Sequence, residues 1–268
     1  MRADLQTYWQ LVTAGFRRQA NYRLAMFAGL CTNIVFGFIR AAILFAAVKS
    51  AGGELAGYTA GSISAYVWLS QGLIGAIQLN GSAEIGDRVR TGDIAIDFTR
   101  PVDVQTWHLA EDLGRAAYTF IPRGVPSVLV GSLTVGLVMP TTVLPYLLGF
   151  ISILLGVAIS FYCRYAVNVL GFWLLDTRGV RSLYMVSSTF LAGLYVPVSL
   201  FPDWLNTLAY ATPFPSILQG PVDVLSGRAS GLDAVIVVAM QFGWLAVTCL
   251  LGRALTQAGQ RKLVVHGG

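Results

Sequence analysis

Lysine is nearly absent from this sequence, and the two that occur are badly placed for phosphate chemistry: Lys49 follows Val48 and Lys262 precedes Leu263. A phosphate-binding loop needs Lys after Gly and before Ser or Thr, so the chain is not expected to hydrolyse a nucleotide itself. Histidine is as scarce. His108 and His266 both lie outside the apolar runs, which leaves neither a Ser–His dyad nor a His-ligated metal within them, and no catalytic residue or metal site is expected. Cys31, Cys163 and Cys249 are scattered through apolar runs. Such a set makes no disulfide framework and no metal spacing, and they are read as small core residues. The acidic residues, from Asp4 to Asp233, fall in loops or at the edges of the apolar runs, whereas proton-coupled carriers usually place Asp, Glu or His within the bilayer. Above all, charge is short: Asp, Glu, Lys and Arg make up 12 % of 268 residues, against 55 % hydrophobic. A soluble domain spends about a quarter of its residues on those four types. A water-soluble globular domain is thereby excluded.

What the sequence does contain is apolar runs. With a mean hydropathy of +0.66 and runs near the roughly 20 residues that a spanning helix needs, it reads as an all-α polytopic membrane protein of about six transmembrane helices in one domain. The expected spans are Leu24 to Val48, Ser62 to Leu79, Ala116 to Met139, a fourth from Tyr146, Ser182 to Val196, and Leu232 to Leu251. The fourth run, continued to Leu175, would reach about 45 Å, longer than the roughly 30 Å hydrocarbon core. Arg164 and Asn168 are read as the place where it leaves lipid. Pro122, Arg123 and Pro126 suggest bent first turns in the third span, still near headgroups. The net charge of +5 comes from arginines at span edges, which favours anionic lipid headgroups over nucleic acid as partners. One side collects Arg2, Arg17, Arg18, Arg23, Arg88, Arg90, Arg100, Arg115, Arg123, Arg178, Arg181, Arg253, Arg261 and Lys262, and the other only Lys49 and Arg228. The richer side is expected to be cytoplasmic, with both termini on it. No internal repeat relates the two halves.

One long polar island interrupts the pattern. Residues 84–115 hold Glu84, Asp87, Arg88, Arg90, Asp93, Asp97, Arg100, Asp103, Glu111, Asp112 and Arg115 around Val89, Ile94, Ile96 and Phe98. Mixed charge with interleaved apolar residues suits a moderately polar partner interface; a plain solvated loop is the alternative. Before the first span, Leu5, Tyr8, Trp9, Val12 and Phe16 form one helical stripe. Residues 1–23 are therefore expected as an amphipathic helix lying in the membrane interface, or else packed on the island. Arg40 lies roughly 12 Å from the outer end of the first span, which leaves snorkelling, a helix-to-helix hydrogen bond or substrate contact open. Gly61, Gly72, Gly75 and Ala76 permit close helix approach on the second span, and Gln71, Gln78 and Asn80 are polar groups in need of partners. Residues 197–231 are rich in proline. A helix over Asp203 to Ala211, opened by Pro202 and stopped by Pro213 and Pro215, reaches only about 14 Å and cannot cross. The stretch is expected as a re-entrant outer hairpin, the alternative being an ordinary outer loop anchored by Phe201, Trp204, Tyr210 and Phe214.

Together the amphipathic first helix, the run RTGDIAIDFTRP (Arg90 to Pro101) and the stretch FLAGLYVPVSLFPDWLNTLAYATPFPSILQGP (Phe190 to Pro221) resemble the type-2 ABC exporter permeases. The resemblance covers nearly the whole chain and is most specific from Gly193 to Pro221. It implies a permease subunit, paired with an identical or paralogous second one. The pair would bind a pair of separate ABC ATPase subunits that carry the ATP and Mg2+, and this chain would bind no cofactor. It also implies that the island is the coupling loop, with Asp87, Arg88, Arg90, Gly92, Asp93, Asp97 and Arg100 as coupling residues. Gln71, Gln78, Phe190, Tyr195, Phe201, Trp204 and Phe214 are the candidate path and outer-gate residues. The implied activity is outward transport of an amphipathic or lipid-like substrate (drug, antibiotic, peptide or lipid) across the cell membrane. A secondary carrier or channel working without an ATPase, or a structural membrane scaffold, are the alternatives.

Overall fold

A computed structural model describes residues 5–79, 84–174 and 176–266; Arg2, Asn80 and Leu175, invoked above, lie outside them. The described residues are helical, with no strand among them. The helices are α1 (Leu5–Ala20), α2 (Arg23–Ser50), α3 (Ala60–Leu73), α4 (Glu84–Thr91), α5 (Ile94–Phe98) and α6 (Val104–Thr119), then α7 (Val125–Thr134), α8 (Leu144–Val169) and α9 (Arg178–Leu191). The last are α10 (Asp203–Tyr210), α11 (Phe214–Ile217), α12 (Gln219–Leu225) and α13 (Leu232–His266). Three stretches are long and apolar enough to cross a membrane: Arg23–Ser50, Leu144–Phe172 and Leu232–Lys262.

Burial follows the helical period. On α2 the covered residues are Met26, Asn33, Gly37, Arg40, Ala41, Leu44 and Val48, a stripe at three- and four-residue spacing, while Phe27, Phe36 and Ile43 stay exposed. A one-sided stripe marks a helix at the rim of the bundle, its other face available to lipid. The centre is α3, where every residue from Ile63 to Leu73 is buried. It starts from Thr59, whose side chain closes a capping box with Ser62, and packs against α2, α7 and α12. The main core gathers around Tyr66, Leu73, Ile77, Ile159, Ile217 and Leu218. Since α3 ends at Leu73, the remainder of the second expected span, as far as Leu79, is a turn followed by irregular backbone.

The third expected span is broken in a definite way. α6 runs into a π-turn at Phe120–Gly124 and resumes as α7, which ends at Thr134. Pro122 lies in that turn and has no N–H to donate, so the widened turn absorbs the missing bond. Arg123 is carried on it. α9 begins at Arg178, ahead of the expected Ser182, and stops at Leu191. Residues 197–231 form a 3-10 turn, α10, α11 and α12, with α12 inserted against α8 and α3.

α1 packs along α6, the second half of the charged island, the alternative given for this segment. A Cβ on Gly114 would strike the Val12 carbonyl, and one on Gly15 the Glu111 carbonyl, so the two backbones meet only because both residues are glycine. Phe16 sits edge-on to Tyr118 with centroids 5.1 Å apart, while Leu5 and Trp9 remain exposed. One expectation needs correcting: Cys31 is exposed and not a core residue.

Candidate functional site

The charged island folds into a compact helical corner. Gly92, at φ +84°, turns α4 into α5 with a backbone conformation that side chains resist. Arg88 then forks onto Asp97, Nε to Oδ2 at 2.6 Å and Nη2 to Oδ1 at 2.7 Å. This hydrogen bonding raises the Arg88 guanidinium above its ordinary pKa. Asp97 is only 5 % exposed, and Arg100 approaches it at 3.7 Å while its guanidinium covers the Trp107 ring at 4.0 Å. Among the expected coupling residues, then, Asp97 is internal and Arg88 and Arg100 hold it. Asp87, Arg90 and Asp93 stay exposed around Gly92, next to an Ile96 that is also exposed. They form a mixed polar and apolar face on a corner braced from behind.

Behind the corner lies an ion cluster. Asp112 on α6 accepts from Arg115 Nε at 2.6 Å and from Arg164 Nη2 of α8 at 2.8 Å. Arg164 Nη1 also donates to Gln78 Oε1 at 3.2 Å. Arg115 spends its other nitrogens on the Gly75 and Ala76 carbonyls, both at 3.0 Å. These carbonyls follow the C-terminal end of α3, where backbone acceptors lack helical partners and a cation is well placed. The cluster ties the island to the turn after α3 and to α8. It borders a cavity of about 460 Å3 between α1, α6 and α8, to which Arg18, Glu111 and Asp112 contribute.

A larger cavity, about 830 Å3, lies on the far side of Gln78 and Arg115, which line both. Gln71, Gln78, Phe190 and Tyr195 are brought together in its wall. The other path candidates are not. Phe201 stacks on Phe190 with centroids 5.0 Å apart, Phe214 lies against Tyr184, and Trp204 is exposed on α10. Sequence reasoning missed Asn33, Thr119, Arg123 and Thr189 in this wall. Asn33 donates to the Gln71 carbonyl at 3.0 Å and accepts from Arg123 Nη2 at 2.8 Å. Arg40 also lines the cavity. It donates from Nη1 to Ser70 Oγ at 3.0 Å and is 8 % exposed, a helix-to-helix bond rather than a side chain reaching for the interface. Asn33 and Arg123, polar residues within or beside apolar runs, were as conspicuous as Arg40; their pairing was not.

From the middle of α3, Tyr66 reaches the Gly193 carbonyl and Gln219 Oε1. Gln219 Oε1 also accepts the Val198 N–H at 3.0 Å, and its amide donates to Asp223 at 2.8 Å. One buried amide thus joins α3, the turn after α9, and α12. Residues 34–267 match the model of a family described as ABC-2 family transporter protein. No curated protein matches the chain.

Proposed function

From the premise that this chain belongs to the ABC-2 transporter family, we propose that it is the permease subunit of an ATP-binding-cassette exporter. It moves an amphipathic or lipid-like substrate outward on ATP, with Mg2+, hydrolysed by a separate ATPase. About six spans cross the cell membrane, the shorter helices α3, α6–α7 and α9 serving beside the three long ones. Both termini and the island face the cytoplasm. Residues 197–231 form a re-entrant outer hairpin over the path. A second copy or a paralogue completes that path, because one side of the large cavity is walled only by α2, α9 and the turn after α9, whose Phe36, Val186 and Tyr195 are exposed.

The observation that carries this reading is the braced corner. Asp87, Arg90, Asp93 and Ile96 are presented on a rigid support, and behind it the Asp112–Arg164–Gln78 cluster reaches the cavity wall. A partner pushing on the corner would act on α6, α8 and the end of the second span together. Reversal of the exposed pair, D87K with R90E, tests it. The membrane domain should purify and melt as before, since exposed charges contribute little to folding. Co-purification of the ATPase should fall about tenfold, with transport in proteoliposomes falling alongside. Undiminished ATPase binding and transport would overturn the proposal.

A further inference from the structure

We propose that the 830 Å3 cavity binds an amphipath by an anionic headgroup, a phosphate or carboxylate, through Arg40 and Arg123. This rests on the permease reading and names the substrate class of the same site. Three arginines and no Asp or Glu line the cavity among the described residues. Arg115 is already neutralised by Asp112 at 2.6 Å. Arg40 and Arg123 have no carboxylate partner among the described residues. Nε and Nη2 of Arg40 and Nε of Arg123 are buried without a hydrogen-bond partner there. Arg40 donates only to the neutral Ser70 hydroxyl, and Arg123 to the neutral Asn33 amide.

A buried cation without a counter-charge costs several kcal/mol, and a membrane interior gives it no water as substitute. A ligand that brings the missing charge removes that cost only while bound. The planar fork of arginine matches phosphate and carboxylate oxygens. Arg40 and Asn33, which holds Arg123, lie on α2 and bond the neighbouring Ser70 and Gln71 of α3, so the two guanidiniums stand along one wall. Phe36, Val186 and Phe190 line the same cavity and are themselves exposed, which suits an acyl or other apolar tail beside the polar row. The volume lies within the roughly 300–1,000 Å3 usual for small-molecule sites.

The test is equilibrium binding to the purified chain in neutral maltoside micelles, with no ATPase present. The probes are dodecyl phosphate, dodecanoate, dodecyltrimethylammonium and inorganic phosphate. Saturable binding of the two anionic amphipaths is expected, weakened about tenfold or more by Arg40→Gln and by Arg123→Gln, with part of it retained in Arg40→Lys. The cationic probe should not compete. Anionic binding that neither glutamine variant alters, or equal binding of the cationic probe, would overturn the proposal. Inorganic phosphate binding as tightly as dodecyl phosphate would replace the amphipath by a free anion and likewise overturn it. If Arg40→Gln fails to fold, Arg123→Gln and Arg40→Lys carry the comparison. Failure of the unaltered chain to co-purify with an ATPase, with these titrations intact, would sink the permease reading alone; the converse would remove only the anion site.

Discussion

The charged corner and the large cavity use arginine in opposite ways. In the corner and the cluster behind it, Arg88 meets Asp97 through two hydrogen bonds and both Nη groups of Arg164 are taken, by Gln78 and Asp112. In the cavity wall, Arg40 and Arg123 meet only neutral oxygens; Arg164 too keeps its Nε without a partner, so what separates the two groups is the carboxylate. A paired buried charge is part of the support, because its removal strands the partner. An unpaired one works against the support, which is the ground for the anion site proposed above.

Substitution can break this contrast. The largest effect is expected for Asp112→Ala, which leaves Arg164, 6 % exposed, without its counter-charge. A destabilisation of about 3–5 kcal/mol should appear as a lower thermal midpoint in detergent. An unchanged midpoint would mean that the cluster is not a support. Asp97→Asn should act more locally, since Arg88 beside it keeps partial exposure. A cost of about 1–3 kcal/mol is expected, read as faster amide exchange over residues 84–100 with little change elsewhere. Arg40→Met should change stability least. The lost Ser70 bond, about 1 kcal/mol, is opposed by relief from burying a bare cation, so the midpoint should hold or rise. A fall as large as that of Asp112→Ala would make Arg40 structural and erase the contrast.

Much of the architecture was legible because it depends on local pattern. The apolar runs predicted where the three long helices begin to within two residues, because length and hydropathy are properties of contiguous residues; the end of the last was not legible, since α13 continues from the expected Leu251 to His266. α10 was expected at Asp203 to Ala211 and is found at Asp203–Tyr210, because prolines on both sides bracket it. The Leu5 to Phe16 stripe predicted a helix, and α1 spans Leu5–Ala20. What packs against that helix was another matter: its close approach to α6 turns on two glycines, Gly15 and Gly114, that no period links.

The candidate site divides along the same line. The island's charge and its place after the second span were visible in the sequence, as were Gln71, Gln78, Phe190 and Tyr195. Which charges face outward was not. Asp97 is internal because Arg88, nine residues earlier, folds back on it, and that return depends on the turn at Gly92.

Composition and hydrophobic period by themselves determined an all-helical membrane chain with a polar island and a proline-broken segment before the last helix. Both are sums over neighbouring residues and need no knowledge of packing. Tertiary structure alone decided which arginines are satisfied. Arg123 meets Asn33 across 90 residues, and Arg164 meets Asp112 across 52. A guanidinium in the sequence carries the same charge in either case, and only the folded chain places a carboxylate beside one and leaves the other facing a cavity.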